Sequence, residues 1–134
     1  MARIKTLCVC AGGVVRSVTL ASLLKFYWKH DALAAGFVNE PETLDTLFRW
    51  ADHIYVVQEY MKPQVPEEYQ YKTRVLDVGD DVWGQSMHPE LTRICYKLLE
   101  QELGPDRKTA PVDELLAKRE ERYAVRRKPI GKLF

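Results

Sequence analysis

Four short apolar runs alternate with three helical stripes along the first hundred residues, and this alternation limits the fold more than any other feature of the chain. Residues 4–8 form an apolar-rich run followed closely by Gly12 and Gly13, the pattern of a buried strand entering a tight turn. Residues 33–38, 53–57 and 74–78 repeat the strand pattern. Between the first two runs, Leu20, Leu23, Leu24, Tyr27 and Trp28 recur at the spacing of one helix face. Leu44, Leu47, Phe48 and Ala51 trace a second stripe after Pro41. Leu91, Ile94, Cys95, Leu98 and Leu99 trace a third, opened by Pro89 and Glu90 and stopped by Gly104 and Pro105. Residues 60–72 carry Pro63 and Pro66, so an irregular connection with at most one helical turn is expected there. Parallel strands require crossovers, and right-handed crossovers cover a sheet with helices. The pattern therefore predicts a three-layer α/β/α fold around a four-stranded parallel sheet.

A length of 134 residues with 46% apolar content fits one domain with its own core, assigned to residues 1–105. Residues 106–134 read as a basic extension, with a helix predicted over 112–128 and packed by Leu115, Leu116 and Tyr123. With 20 basic and 19 acidic residues, the net charge of +1 provides no chain-wide field for nucleic acid, which is not expected as a partner. The first residues lack a secretory pattern and no run approaches the length of a membrane span, so a cytoplasmic protein is expected. Three cysteines, an odd number, fit reduced thiols better than a disulfide framework, and no metal or cofactor is expected.

The stretch that carries chemistry is CAGGVVRS, residues 10–17, at the carboxyl end of the first strand, the edge where open α/β sheets bind ligands. A cysteine, five residues and an arginine can wrap a loop around a tetrahedral dianion, with the thiol beneath it and the guanidinium at its rim. Ala11, Gly12, Gly13, Val14, Val15, Arg16 and Ser17 are the candidate phosphate-binding positions, their amides forming an inward nest at the positive end of the next helix. Gly12 and Gly13 suit a backbone that turns sharply and approaches its ligand closely. Arg16 offers a planar fork for two phosphate oxygens. The same donors favour a thiolate at Cys10, a nucleophile at neutral pH, and Ser17 can donate to its sulfur. The alternative for these residues is a buried small hydrophobe at Cys10 and a surface arginine at Arg16.

These residues resemble the low-molecular-weight protein tyrosine phosphatase family, whose loop reads V-C-x-G-N-x-C-R-S-P. Val9, Cys10, Gly12, Arg16 and Ser17 match, while Gly13, Val15 and Val18 replace the family's Asn, second Cys and Pro. LAAGFV, residues 33–38, is similar to the family's S-A-G-T strand, and WADHIYVVQEYMK, residues 50–62, resembles its A-D-x-I-x-V-M segment. The likeness covers about residues 3 to 103. It implies a phosphotyrosine phosphatase I-like fold and hydrolysis through a cysteinyl-phosphate, with a phosphorylated protein or small phosphomonoester as substrate and inorganic phosphate as product. The family's general acid lies in a D-P-Y loop; here that region is LDVGDDVWGQSMHPEL, which places Asp80 as the acid and Val82 or Trp83 as the wall of the pocket. Asp81 and Asp77 are the alternatives, within a residue or two of register. Without the resemblance, adjacent acids in such a loop read as solvated turn residues.

Two rival readings follow from the same residues. Arsenate reductases of this family pass electrons to two further cysteines, but Cys95 is the only cysteine remote from the loop and falls on a helix stripe. Alternatively, the loop binds a phosphorylated partner without hydrolysing it, with the basic extension adding contacts. His53 and His88 precede secondary-structure elements and are read as structural or exposed.

Overall fold

The computed structural model describes residues 3–107, so the predicted extension beyond Arg107, with its helix over 112–128, lies outside the described residues. Four strands form one sheet: β1 (Lys5–Cys10), β2 (Asp31–Gly36), β3 (His53–Val56) and β4 (Thr73–Val75). Their order is β2-β1-β3-β4 and every pairing is parallel. Three helices connect or follow them: α1 (Arg16–Tyr27), α2 (Pro41–Trp50) and α3 (Pro89–Leu103). The architecture is the expected one.

The register Val9↔Ala35 and Val9↔Val56 puts β1 in the centre, covered on both faces, which is why Thr6 to Cys10 are buried without a break. From β1 the chain moves outward to β2 and then crosses back over β1 to β3. Right-handed crossovers in opposite directions place α1 and α2 on opposite faces. α3 packs beside α1. The segment Glu67–Lys72 lies against α2, as the contact of the Tyr69 ring with Phe48 and the bond from Tyr69 to Asp45 show, while Glu59–Gln64 packs at β3 and β4. These segments are two 3₁₀ helices where at most one turn was expected: Pro63 is accommodated inside the first, near its end, and Pro66 caps the start of the second.

The stripe read on α1 undercounts its burial. Thr19 and Ala21 are buried along with Leu20, Leu23, Leu24 and Tyr27, because the helix sits between the sheet and α3 rather than on a free surface. Sandwiching α1 in this way fixes its amino end at the carboxyl edge of β1, where the Cys10–Arg16 loop must close. The strands themselves end differently from the reading: β2 begins two residues early, at Asp31, and β4 spans three residues, although Leu76 and Val78 continue to donate to Val56 and Val57 carbonyls.

Candidate active site

At the carboxyl edge, β1 delivers Cys10 into a five-residue loop and α1 starts at Arg16. The Cys10 sulfur is held from two sides: the Gly13 amide donates to it at 3.1 Å, and Ser17 Oγ lies 3.1 Å away. The inward Gly13 amide is one donor of the nest expected for this loop. Val15, the residue that caps α1, provides no side-chain hydrogen bond, and the first turn holds no acid, whereas α2 and α3 open on Glu42 and Glu90. The positive end of α1 is thus left uncompensated by side chains.

The glycines divide the work unequally. Gly13 has φ +73°, a left-handed conformation that strains any other side chain, whereas Gly12 does not, and a Cβ on Gly12 would meet nothing within 4 Å. The glycine that matches Gly13 across the gap is Gly36, the last residue of β2. A Cβ there would stand 2.4 Å from both Gly12 C and Gly13 N. The loop rests directly on the backbone of β2, and Phe37 and Val38 extend the contact by donating to the Cys10 and Ala11 carbonyls at 3.0 and 3.2 Å.

Arg16 is 2% exposed, so the reading of it as a surface residue is excluded. Its Nη1 donates to Gln58 Oε1 at 2.5 Å and to the Gly79 carbonyl at 2.8 Å, while its Nε is buried with no hydrogen-bond partner among the described residues. A buried guanidinium N–H without an acceptor is expensive unless a ligand supplies one. Nη1 is thus fixed to the protein while the Nε edge of the fork is not.

The three candidate acids stand in distinct settings, all exposed. Asp77 accepts from the Gly79 amide at 3.0 Å, an Asx turn that stabilises the left-handed Gly79 (φ +87°). Asp80 accepts from Gln58 Nε2 at 2.9 Å, which joins it to Arg16 through one side chain. Asp81 carries no such link among the described residues. Val82 is 74% exposed, whereas Trp83 is half-buried against the core with its ring 5.1 Å from His88. His88 caps α3, accepting from the Glu90 amide at 3.2 Å, and His53 is the exposed first residue of β3. The far end of the Asp80 loop is tied to α1 by the Met87 amide, which donates to Thr19 Oγ1 at 3.0 Å.

Cys8 and Cys95 are free and fully buried in the core. Burial pushes the Cys8 thiol far above its usual range, with the neighbouring cysteines adding to the effect, and pushes the Cys95 thiol up to about 12. Both are inert small hydrophobes in this setting.

Sequence reasoning missed Gln58, Thr19 and Gly36. Gly36 carries a signal, since a glycine ending a buried strand marks a close backbone approach. Gln58 and Thr19 carry none, because their partners lie 42 and 68 residues away.

No family model matches the chain, and no curated protein matches it significantly. Solved structures do. Wzb of Vibrio vulnificus, determined in complex with benzylphosphonate, superposes with a TM-score of 0.55 at 20% identity, over 75% of this chain and 94% of that one. A mutant of YwlE from Bacillus subtilis superposes with a TM-score of 0.50 at 18% identity, over 72% of this chain and 92% of that one. The class that the sheet and its covering helices define is an open α/β fold with a ligand edge at the carboxyl ends of its strands. Within that class, the fold is that of the low-molecular-weight protein tyrosine phosphatases. No helix among the described residues is long and apolar enough to cross a membrane.

Proposed function

We propose that the chain is a phosphomonoester hydrolase of the low-molecular-weight protein tyrosine phosphatase type, acting on a phosphorylated protein or small phosphomonoester. The observation that carries this reading is the pairing of a sulfur cradled by an inward amide with a buried guanidinium that has an unanswered N–H. The phosphate oxygens would take the loop amides of residues 11 to 17 and the free edge of Arg16. Cys10, as thiolate, attacks phosphorus in line. The P–S bond forms, the P–O bond to the leaving group breaks, and Asp80 gives its proton to the departing oxygen. In the second step water attacks the cysteinyl-phosphate, Asp80 takes its proton, and inorganic phosphate leaves with the thiolate restored. Ser17, 3.1 Å from the sulfur, stabilises that thiolate as it departs. Asp80 is preferred over its neighbours because its carboxylate alone is tied through Gln58 to the clamp, while Asp77 is engaged in its own turn.

Hydrolysis of p-nitrophenyl phosphate by the wild type beside Cys10→Ser and Asp80→Asn tests the assignment. Turnover is expected to vanish in the Ser variant and to fall about 10²–10⁴-fold in the Asn variant. Full activity of Cys10→Ser removes the nucleophile. Vanadate binding by a wild type that never turns over would instead leave a phosphate-binding module.

A further inference from the structure

Gln58 stands between the two charged members of the proposed site. Its Oε1 accepts from Arg16 Nη1 at 2.5 Å and its Nε2 donates to Asp80 Oδ1 at 2.9 Å. The same Nη1 donates to the carbonyl of Gly79, the residue before Asp80, so the contacts close into a ring from Arg16 through Gln58 and Asp80 back to Arg16. The orientation of the amide is dictated by its neighbours. A guanidinium only donates and a carboxylate only accepts, so reversing the amide would set N–H against N–H and oxygen against oxygen. A carboxamide offers an acceptor and a donor on two separate atoms of one tip. Gln58 stands two residues beyond β3 and caps the 3₁₀ helix Glu59–Gln64, so its backbone is held between the sheet and that helix.

We infer that Gln58 is a positioning residue that sets the proposed phosphate clamp and the proposed general acid at a fixed separation, so that the phosphate and its leaving oxygen meet Arg16 and Asp80 together. This rests on the hydrolase reading above and adds a residue to it. Through Oε1 it holds Nη1 away from the phosphate, so the Nε edge of Arg16 stays turned to the ligand. Through Nε2 it restrains an acid on an otherwise exposed loop.

Gln58→Met keeps the length and removes both contacts; Gln58→Glu keeps the acceptor for Arg16 and sets a second carboxylate against Asp80. The full chain is assayed with p-nitrophenyl phosphate and with phenyl phosphate, whose poorer leaving group depends more on a placed acid, and inhibition by inorganic phosphate is measured alongside. For Gln58→Met we expect phosphate inhibition to weaken about tenfold and the phenyl-to-nitrophenyl rate ratio to drop about tenfold, the scale of one hydrogen bond to a charged group. Gln58→Glu is expected to lower the ratio while phosphate inhibition stays within about threefold of wild type. A purely structural role would scale both substrates alike, and an unchanged ratio in both variants overturns the inference. Should Gln58→Met fail to fold, Gln58→Glu decides alone. Should the wild type not hydrolyse aryl phosphates, the hydrolase reading falls, and phosphate affinity measured calorimetrically still decides the clamp half: wild-type affinity in Gln58→Met sinks it.

Discussion

Replacing Gly36 by alanine places one methyl group between β2 and the sulfur-bearing loop. The added carbon would stand 2.4 Å from Gly12 C and Gly13 N and 2.8 Å from the Ala11 carbonyl oxygen, all backbone atoms, where ordinary contacts begin at 3.4 Å. The difference, 3.4 minus 2.4, requires the loop and the strand to separate by about 1 Å. No side-chain rotation can supply that. The Gly36 register opposite Cys10 and the bonds from Phe37 and Val38 to the Cys10 and Ala11 carbonyls all resist the movement. Overpacking of this kind costs about 1–3 kcal/mol. For a domain near a hundred residues that is a fall in melting temperature of roughly 5–15 °C. A shift of about 1 Å in a positioned reacting group is worth on the order of 10²-fold in rate. Thermal unfolding followed by circular dichroism and kcat/KM on p-nitrophenyl phosphate measure the two effects. Gly12→Ala in the same loop is the control for stability: its new methyl meets nothing within 4 Å, so its melting temperature should not fall. If Gly36→Ala melts with the wild type and turns over at the wild-type rate, the close approach of strand and loop does not shape the site.

All three cysteines are buried, but only the Cys10 sulfur accepts from a loop amide, so alkylation of the native protein by iodoacetamide should modify Cys10 and spare Cys8 and Cys95, whose thiols burial holds protonated; peptide mass spectrometry reads this directly, and equal labelling of all three contradicts it. His30, buried with its Nδ1 2.9 Å from Thr6 Oγ1, is held below its usual titration range chiefly by burial and then by His53 and Arg107. The unfolded chain therefore binds a proton there that the folded one refuses, so stability should be full above about pH 6.5 and decline as pH falls below it. Urea melts across that range should show the decline in wild type and a shallower one in His30→Gln; identical slopes would remove His30 as its source.

The alternation of strands and helices, the edge at which the loop lies and the Cys10-to-Arg16 spacing were all legible in the chain, because each is a local code. Burial on two faces writes a strand as a continuous apolar run, and a helix writes its face every three or four residues. Tertiary structure decided the rest. Arg16 proved buried because α1 is enclosed by both the sheet and α3. Gly36 joined the site because parallel register sets it opposite Cys10. Asp80 is distinguished from Asp77 and Asp81 by a glutamine 22 residues earlier in the chain, brought there by the neighbouring strand β3. Such contacts depend on which strands become neighbours and in what register, and no periodicity along one segment records that.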